Sequence, residues 1–362
     1  YLNFRRILDP LGIPVVLRTS ARKEGSGESD LFNPAKSSVP PLVVGTHALL
    51  FEGAEFEKLG LVVIDEQHKF GVLQRSRLIG RADAPDVLVM TATPIPRTIT
   101  QTLYGDLDVS IIRERPAGRG AIVTALRDES KLPGIIEFIR AEIAAGRQAY
   151  IVYPLVEESE KLELKAATAE FEKWKQLLAP ATVGLVHGRL DAEAKESVMR
   201  EFREGRTSVL VSTTVIEVGV DVPNASLMVV HHADRFGMAQ LHQLRGRIGR
   251  GGNKGYCILL SDGKNSEGME KLKVLEGTGD GFEIAEADLR LRGPGDVLGT
   301  SQSGLAELKF VEFLADPSLV REAGKLAAEV LAADPDLSGR HARLRGFIKE
   351  LVAEAFSQGG TA

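Results

Sequence analysis

The chain has 362 residues, of which 43% are hydrophobic and 26% are charged, and its formal net charge is -5 at pH 7. This length allows two or three domains with large cores, and the composition is typical of a soluble globular protein. The net charge excludes a surface that is cationic overall, so any site for a polyanion has to be a local patch. The single cysteine excludes a disulfide framework and a zinc site made of cysteines.

The sequence contains no run of about 18 apolar residues and no charged-then-apolar signal segment. We therefore expect a cytoplasmic protein without a membrane partner, and we expect a monomer. The one cysteine, Cys257, lies in the apolar run "GYCILLS", which predicts a buried thiol on a strand.

The chain begins with "YLNFRRILDPLG", a helical pattern that ends at Pro10 and Gly12. The polar stretch at residues 21–40 is rich in Gly, Ser and Pro and predicts a mobile loop. Short apolar runs alternate with helical patterns along most of the chain, and they predict strands at residues 14–18, 41–45, 61–65, 87–90, 148–153, 182–187, 208–212, 227–231 and 256–260. Because these runs are continuously apolar, they predict parallel sheets with helices on both faces, which is a doubly wound α/β fold.

A charged stretch with Pro and Gly, "RERPAGRG" at residues 113–120, interrupts this pattern and predicts a linker between two α/β domains. We expect a first domain at residues 1–112 and a second domain at residues 113–262. In the third region, residues 263–362, predicted strands give way to helices, and the tail from about residue 307 has amphipathic spacing that suits packing on the body of the protein.

The predicted strand "LVVID" ends in two adjacent carboxylates, Asp65 and Glu66. Ligands bind at the carboxyl ends of strands in open α/β sheets. At such a position one carboxylate can hold Mg²⁺ on the phosphates of a nucleoside triphosphate, and the other can orient the attacking water. The alternative is a pair of solvated carboxylates that begins a loop. The next strand ends in "TATPIPRT", whose hydroxyls can bond to Glu66 or His68 but which is also ordinary chemistry for a helix start.

Three arginines, Arg245, Arg247 and Arg250, fall close together in "QLHQLRGRIGRGG", where they are interleaved with glycines. Guanidinium groups at this spacing repel one another and call for an anionic partner, and their planar forks fit phosphate oxygens. A solvated basic helix face is the alternative, although each glycine would weaken a purely structural helix by ~1 kcal/mol.

A second polar loop, "STTVIEVGVDVPNA", follows the predicted strand at residues 208–212. Its hydroxyls, such as that of Thr213, can reach a phosphate backbone, and its carboxylates, such as that of Asp221, can reach a sugar hydroxyl. Taken singly, this stretch is a loop.

In order, "VVGTHALL", "VVIDEQH", "MTATPIPRT", "STTVIEVGVDVPNA" and "QLHQLRGRIGRG" resemble motifs Ib, II, III, V and VI of superfamily 2 helicases. The tail "DGFEIAEADLRLRGPGDVLGTSQSG" resembles the RecG family of branched-DNA helicases, and transcription-repair coupling translocases have a related tail. The resemblance spans nearly the whole chain. It implies two tandem RecA-like domains, the first of them incomplete, followed by a helical hairpin and tail. It also implies an enzyme that uses ATP and Mg²⁺ to act on branched double-stranded DNA, such as replication forks and four-way junctions.

The resemblance further implies roles for individual residues. Asp65 would bind Mg²⁺, Glu66 would activate water, and Arg247 and Arg250 would act as arginine fingers on the γ phosphate. The implied nucleotide-binding residues are His68, Gln243 and Asp221, the last near the ribose. The implied DNA contacts are Gly45, Thr46, His47 and Thr213. The implied translocation motif comprises Arg290, Arg292, Gly293, Gly299, Gln302 and Gly304, although these residues also fit a helix with a glycine C-cap and a turn.

The sequence departs from the family in one respect, because it contains no P-loop of the form G-x-x-x-x-G-K-S/T to cradle the phosphates. We therefore expect the carboxyl-terminal portion of a longer helicase, which hydrolyses ATP poorly by itself. The alternatives are a non-catalytic module that binds DNA or a protein partner, and a transcription-coupled repair translocase. The helicase interpretation requires the acidic pair and the arginines to face one triphosphate, so that closure of the two domains assembles the site.

Overall fold

The computed structural model of the chain describes residues 1–19, 23–24, 39–46, 49, 59–66, 85–92, 109–112, 114, 116, 118–154, 160–213, 221–292 and 317–358. The chain forms two compact units, which divide between Ala92 and Thr93. The domain boundary expected at residues 112 and 113 stays a prediction. Among the described residues, none of the helices has both the length and the apolar character needed to cross a bilayer.

The first unit begins with α1 (Leu2–Leu8), which continues into a 3-10 turn and ends at Gly12 with a left-handed φ of 70°, as the sequence predicts. Strands β1 (Val15–Arg18) and β3 (Leu42–Gly45) pair in parallel. The short strand β2 (Lys23–Glu24) pairs antiparallel with β1, so the loop predicted at residues 21–40 contains a strand that the sequence analysis missed. Two charged residues carry no strand signal, and only their backbone hydrogen bonds define the strand.

The acidic pair lies at the end of a second, two-stranded sheet in this unit. Strands β4 (Leu61–Asp65) and β5 (Asp86–Met90) are parallel, and Asp65 is paired with Met90. The side chains of Leu61, Val63 and Leu88 are 59%, 52% and 51% exposed. One face of this pair is therefore partly exposed.

The second unit contains a six-stranded sheet in which every pair of neighbours is parallel, in the order β6-β11-β10-β7-β9-β8. Its strands are β6 (Ile122–Arg127), β7 (Gln148–Val152), β8 (Val183–Val186), β9 (Val209–Ser212), β10 (Ala225–Val230) and β11 (Gly255–Leu260). The sequence predicted each of these strands except β6. That strand is at the edge of the sheet and only partly buried, so its sequence "IVTALR" lacks the continuous apolar run of the others.

Helices cover both faces of this sheet, as the doubly wound fold requires. They are α2 (Leu132–Ala144), α3 (Glu160–Leu177), α4 (Ala192–Arg203), α5 (Met238–Arg245), α6 (Ser266–Gly277) and α7 (Gly281–Arg292). Ile139 of α2 and Trp174 of α3 are fully buried in the core on one face. Phe202 of α4 and Leu272 of α6 are fully buried in the core on the other face. Burial of each such side chain stabilises the fold by ~1.5–3 kcal/mol.

Two helices of the second unit begin at polar side chains that cap them. The Asp191 carboxylate accepts a hydrogen bond from the Ala194 amide at 2.7 Å at the start of α4, and Asn265 accepts one from Gly268 at 3.0 Å at the start of α6. Each side chain satisfies an amide that the first helical turn leaves without a partner.

After β11 the described residues form helices, as predicted, and the last two are α8 (Pro317–Ala333) and α9 (Ala342–Gln358). Leu331, Phe347 and Ile348 on these helices are 50%, 60% and 41% exposed. The expectation that the tail from about residue 307 packs on the body of the protein stays a prediction. Cys257 is buried on β11, which confirms that prediction, and burial raises the pKa of its thiol to about 12.

Candidate functional site

The acidic pair lies at the carboxyl end of β4, where Asp65 is exposed. Glu66 has a left-handed φ of 55°, and its amide donates to the Asp65 Oδ1 atom at 2.9 Å. This conformation costs a residue other than glycine ~1–2 kcal/mol. Because β4 and β5 are parallel and in register, the Thr91 hydroxyl of the "TAT" stretch follows at the same edge as the pair. His68 lies outside the described residues.

The acidic pair provides few metal ligands by itself. In the described ranges of the chain, no three or more His, Cys, Asp or Glu side chains are grouped so that they could hold a metal ion. Mg²⁺ on a nucleotide needs only one or two carboxylates, because phosphates and waters supply the other ligands. The exposed carboxylate of Asp65 at a strand end fits that requirement.

The other candidate residues lie in the turn at residues 246–253, directly after α5, which we call the arginine turn. The Arg250 Nη1 atom is 3.2 Å from the Asp221 Oδ1 atom, and the Arg250 Nε atom donates to the Gly246 carbonyl at 3.1 Å. The structure therefore brings together Arg250 and Asp221, two residues that the sequence assigned to a nucleotide. The anion next to Arg250 is a carboxylate of the chain itself.

Arg247 shares this electrostatic environment. Burial raises the pKa of the Tyr150 hydroxyl on β7 to about 12, while the charges of Arg247 and Arg250 oppose that rise and the charge of Asp221 adds to it. All three charged groups therefore act on the same buried hydroxyl. Gln243 is partly buried on α5, four residues before Arg247.

Arg245 plays a structural part, and the anionic partner expected for it stays a prediction. It is only 5% exposed, and its Nη1 atom donates to the Leu275 carbonyl at 2.9 Å and the Thr278 carbonyl at 2.8 Å. Its Nη2 atom is 2.9 Å from the His242 Nδ1 atom. Carbonyl groups at the end of a helix accept hydrogen bonds readily, so they stabilise this guanidinium without a phosphate.

The glycines of the arginine turn also have a structural reason. A Cβ atom on Gly251 would lie 2.4 Å from the Pro223 carbonyl oxygen, and Gly249 and Gly252 have φ angles of 71° and 82°. Such positions favour glycine because side chains lack the space or the conformation. The interleaved glycines therefore give less support to phosphate binding than the sequence analysis assumed.

The implied DNA contacts lie at the ends of two strands. Gly45 ends β3, and a Cβ atom there would lie 2.2 Å from the Arg18 carbonyl oxygen. Thr46 follows and is exposed, while His47 lies outside the described residues. Thr213 follows β9 and is 3% exposed, and its Oγ1 atom has no hydrogen-bond partner among the residues that the structure describes. A role of these residues in DNA binding stays a prediction.

The implied translocation motif begins at the end of α7, where Arg290 and Arg292 lie in the last turn of the helix. The Arg290 Nε atom donates to the Glu286 carbonyl at 3.3 Å. Helix α7 packs against α5 and α6, so it contacts the helix that leads into the arginine turn. Four members of the motif, Gly293, Gly299, Gln302 and Gly304, lie outside the described residues.

Sequence analysis missed one residue at this site, Arg119. Its Nη2 atom donates to the Gly246 carbonyl at 2.6 Å, although the residue lies in the stretch that was interpreted as a linker. The only sequence signal was a charged residue between two glycines, which is common in loops.

Comparison with known families agrees with this arrangement. Residues 1–102 match the DEAD/DEAH box helicase family, and residues 130–252 match the helicase conserved C-terminal domain. The parallel sheets and these two matches place the chain among helicase families. Residues 278–352 match the C-terminal part of domain 3 of the ATP-dependent DNA helicase RecG.

Individual relatives point to the same family. The chain is 49% identical to the ATP-dependent DNA helicase RecG of Synechocystis sp. over 328 residues, which cover 90% of the chain and 39% of the relative. It is 46% identical to the Bacillus subtilis RecG helicase over 323 residues, which cover 89% of the chain and 47% of that relative. A solved structure of RecG bound to a three-way DNA junction has a TM-score of 0.66 and 42% identity, with coverage of 88% of this chain and 41% of that one.

The chain thus belongs to the RecG-type family of ATP-dependent DNA helicases. It spans less than half the length of the two curated relatives and of the solved structure.

Proposed function

We propose that the chain works as the carboxyl-terminal part of an ATP-dependent helicase or translocase that acts on branched double-stranded DNA in recombination and repair. The observation that carries this proposal is the Asp65-Glu66 pair at the end of β4, in a chain that matches the DEAD/DEAH box helicase family. The left-handed backbone of Glu66 supports it, because backbone conformations of this cost concentrate at functional sites.

In the proposed mechanism the acidic pair prepares the attack on the γ phosphate of ATP. Asp65 would hold Mg²⁺, which neutralises charge on the β and γ phosphates when it is bound. Glu66 would orient the attacking water and accept its proton. The hydrogen bond from the Glu66 amide to the Asp65 Oδ1 atom orients the Asp65 carboxylate relative to the backbone of Glu66.

The arginine turn supplies positive charge to the same reaction. In the proposal Arg247 and Arg250 stabilise charge on the γ phosphate, an effect that contributes on the order of 10³-fold or more to the rate in related enzymes. The Arg250 guanidinium pairs with the Asp221 carboxylate in the structure. In the proposal Arg250 would exchange that carboxylate for phosphate oxygens, and Asp221 and Gln243 would bind the nucleotide. His68 would complete the nucleotide site.

The proposed partner is a fork or a four-way junction of DNA, and the proposed protein is a cytoplasmic monomer. The structure of RecG on a three-way DNA junction supports the choice of branched DNA. Gly45, Thr46, His47 and Thr213 would contact the DNA backbone. The residues from Arg290 to Gly304 would couple closure of the domains to movement along the duplex.

A second candidate function is a non-catalytic module that binds DNA or a protein partner. The absence of a P-loop from this sequence and the internal pairing of Arg250 with Asp221 favour it. Reading the coding DNA upstream of Tyr1 discriminates the two, because an in-frame strand followed by G-x-x-x-x-G-K-T supports the helicase. A transcription-coupled repair translocase has less support, since both curated relatives above are RecG helicases.

The experiment that tests the proposed function is Glu66→Gln in the complete protein. DNA-stimulated ATP hydrolysis should fall by about 10²-fold or more, because the carboxylate that accepts the proton is gone. Binding to a fork substrate, measured by fluorescence anisotropy, should not change. Glu137→Gln is the matched control, since it removes an exposed carboxylate on α2. Hydrolysis at the native rate in Glu66→Gln would remove Glu66 from its proposed role.

A further inference from the structure

The segment Gly118–Gly120, predicted as the end of a linker, lies directly against the arginine turn. The Gly120 amide donates to the Gly249 carbonyl at 2.9 Å, and the Arg119 Nη2 atom donates to the Gly246 carbonyl at 2.6 Å. The segment therefore has two hydrogen bonds to the turn, one from its backbone and one from a charged side chain.

The contact between the segment and the turn is too close for side chains. A Cβ atom on Gly120 would lie 1.8 Å from the Asn253 carbonyl oxygen. A Cβ atom on Gly252 would lie 3.2 Å from the Gly118 carbonyl oxygen, and Gly252 also has a φ of 82°. Glycines on both sides allow the two backbones to touch, which fixes the segment on the turn.

One oxygen atom connects this segment to a candidate arginine finger. The Gly246 carbonyl accepts from the Arg119 Nη2 atom at 2.6 Å and from the Arg250 Nε atom at 3.1 Å. The other edge of the Arg250 guanidinium contacts Asp221 through its Nη1 atom. The orientation of Arg250 therefore depends on where the Gly246 carbonyl points, and Arg119 holds that carbonyl with a bond strengthened by its charge.

We propose that Arg119 is a positioning residue for Arg250. It fixes the Gly246 carbonyl, which holds the Arg250 Nε atom and leaves the Nη1 edge directed at Asp221 or at a phosphate in its place. This inference rests on the proposed function, in which Arg250 acts on the γ phosphate. Gly120 lies just before β6, the edge strand of the six-stranded sheet. A movement of the chain at the start of β6 would therefore also shift Arg119 and the Gly246 carbonyl.

The test uses the complete protein with Arg119→Gln, and Arg119→Lys tests rescue by a residue that keeps a charged donor. Arg140→Gln is the matched control, because the Arg140 Nη2 atom also donates to a carbonyl, that of Leu177, at 2.6 Å. Displacement of a reacting group by about 1 Å costs on the order of 10²-fold in rate. We expect Arg119→Gln to lower kcat for DNA-stimulated ATP hydrolysis by about 10- to 100-fold, with KM for ATP changed less than about threefold.

Arg119→Lys should recover part of kcat, and Arg140→Gln should keep the native kcat. The midpoints of thermal unfolding of Arg119→Gln and Arg140→Gln should be similar. A loss of kcat in Arg119→Gln alone could then not be explained by a loss of stability. If Arg119→Gln does not fold, Arg119→Met replaces it, because Met keeps the aliphatic stem and removes the donors. A native kcat in the folded variant would overturn the proposal.

A double-variant cycle shows whether Arg119 acts through Arg250. The double variant Arg119→Gln with Arg250→Gln should have the same kcat as Arg250→Gln alone. If the two losses multiply instead, Arg119 acts independently and the proposal is wrong. If Arg250→Gln itself keeps the native kcat, the proposed function fails. If Arg250→Gln loses kcat and Arg119→Gln does not, only the present inference fails.

Discussion

The acidic edge at the end of β4 and the arginine turn after α5 are supported in different ways. The acidic edge belongs to a two-stranded sheet with an exposed face, and Glu66 there has an unfavourable backbone conformation. The arginine turn is packed between Pro223, the segment Gly118–Gly120 and the six-stranded sheet. The backbone cost therefore singles out Glu66 as a candidate at the acidic edge, whereas the arginine turn mixes candidate residues with residues that build the turn.

The clearest structural residue of the turn is Arg245, and its removal should have the largest effect on stability. Arg245→Met should lower the free energy of unfolding of this chain by ~3 kcal/mol, because the Leu275 and Thr278 carbonyls lose a buried charged donor. Urea unfolding followed by circular dichroism measures the change. Arg206→Met is the control, since the Arg206 side chain is 58% exposed and pairs with surface Glu204. Equal losses in the two variants would show that Arg245 is not structural.

The packing of the turn gives the next largest effect. Gly251→Ala should lower the free energy of unfolding by ~2 kcal/mol, because the added Cβ atom displaces the Pro223 carbonyl or the turn. Gly134→Ala on α2 is the control, since nothing lies within 4 Å of a Cβ atom there. That control should be neutral or stabilising by up to ~1 kcal/mol. A stability of Gly251→Ala equal to that of Gly134→Ala would contradict the close packing.

A buried histidine beside β10 makes the stability of the second unit depend on pH. Burial lowers the pKa of His231 from 6.5 to about 4, and the ring stacks on Tyr153 at 4.4 Å between centroids. His231 binds a proton less readily in the folded protein than in the unfolded chain. The contribution of neutral His231 to the free energy of unfolding is therefore complete above pH 6.5 and decreases as the pH falls towards 4. The free energy of unfolding should fall by about 1.4 kcal/mol per pH unit in that window.

Urea unfolding between pH 4 and 7 measures how the free energy of unfolding changes with pH. His231→Phe should remove this pH dependence, and the substitution keeps an aromatic ring against Tyr153. An identical slope in the variant would assign the pH dependence to other groups.

The smallest expected effect is at the acidic edge, and it is a gain in stability rather than a loss. Glu66→Gly should be more stable than Glu66→Ala by ~1 kcal/mol, because glycine adopts a left-handed backbone without the cost that a Cβ atom brings. The comparison of two variants cancels the loss of the carboxylate. Equal stability, measured by thermal unfolding of this chain, would show that the backbone of Glu66 carries no such cost.

Sequence reasoning identified the parts of the fold that produce a continuous local signal. The four central strands of the large sheet were predicted because burial on both faces demands apolar residues throughout, and the apolar edge strand β8 was predicted with them. The edge strand β6 and the charged strand β2 were missed, since their pairing partners define them more than their own side chains do.

The sequence indicated Asp65, Glu66, Arg247 and Arg250 as candidates through strand ends and recognisable motifs, but it could not separate Arg245 from its neighbours. Its hydrogen bonds to the carbonyls of Leu275 and Thr278 distinguish it, and those residues are distant in the chain. Arg119 was missed for the same reason, because its hydrogen bond to Gly246 spans 127 residues.

The central claim is that the acidic edge and the arginine turn act on one nucleotide. The most direct test measures the distance between spin labels at Ala92→Cys and Asn253→Cys in the complete protein, by double electron-electron resonance. Both positions are exposed, and buried Cys257 should not react with the label. Addition of a non-hydrolysable ATP analogue with Mg²⁺ and forked DNA should shorten and narrow the distance distribution. A distribution that does not change on binding of the nucleotide would contradict the account.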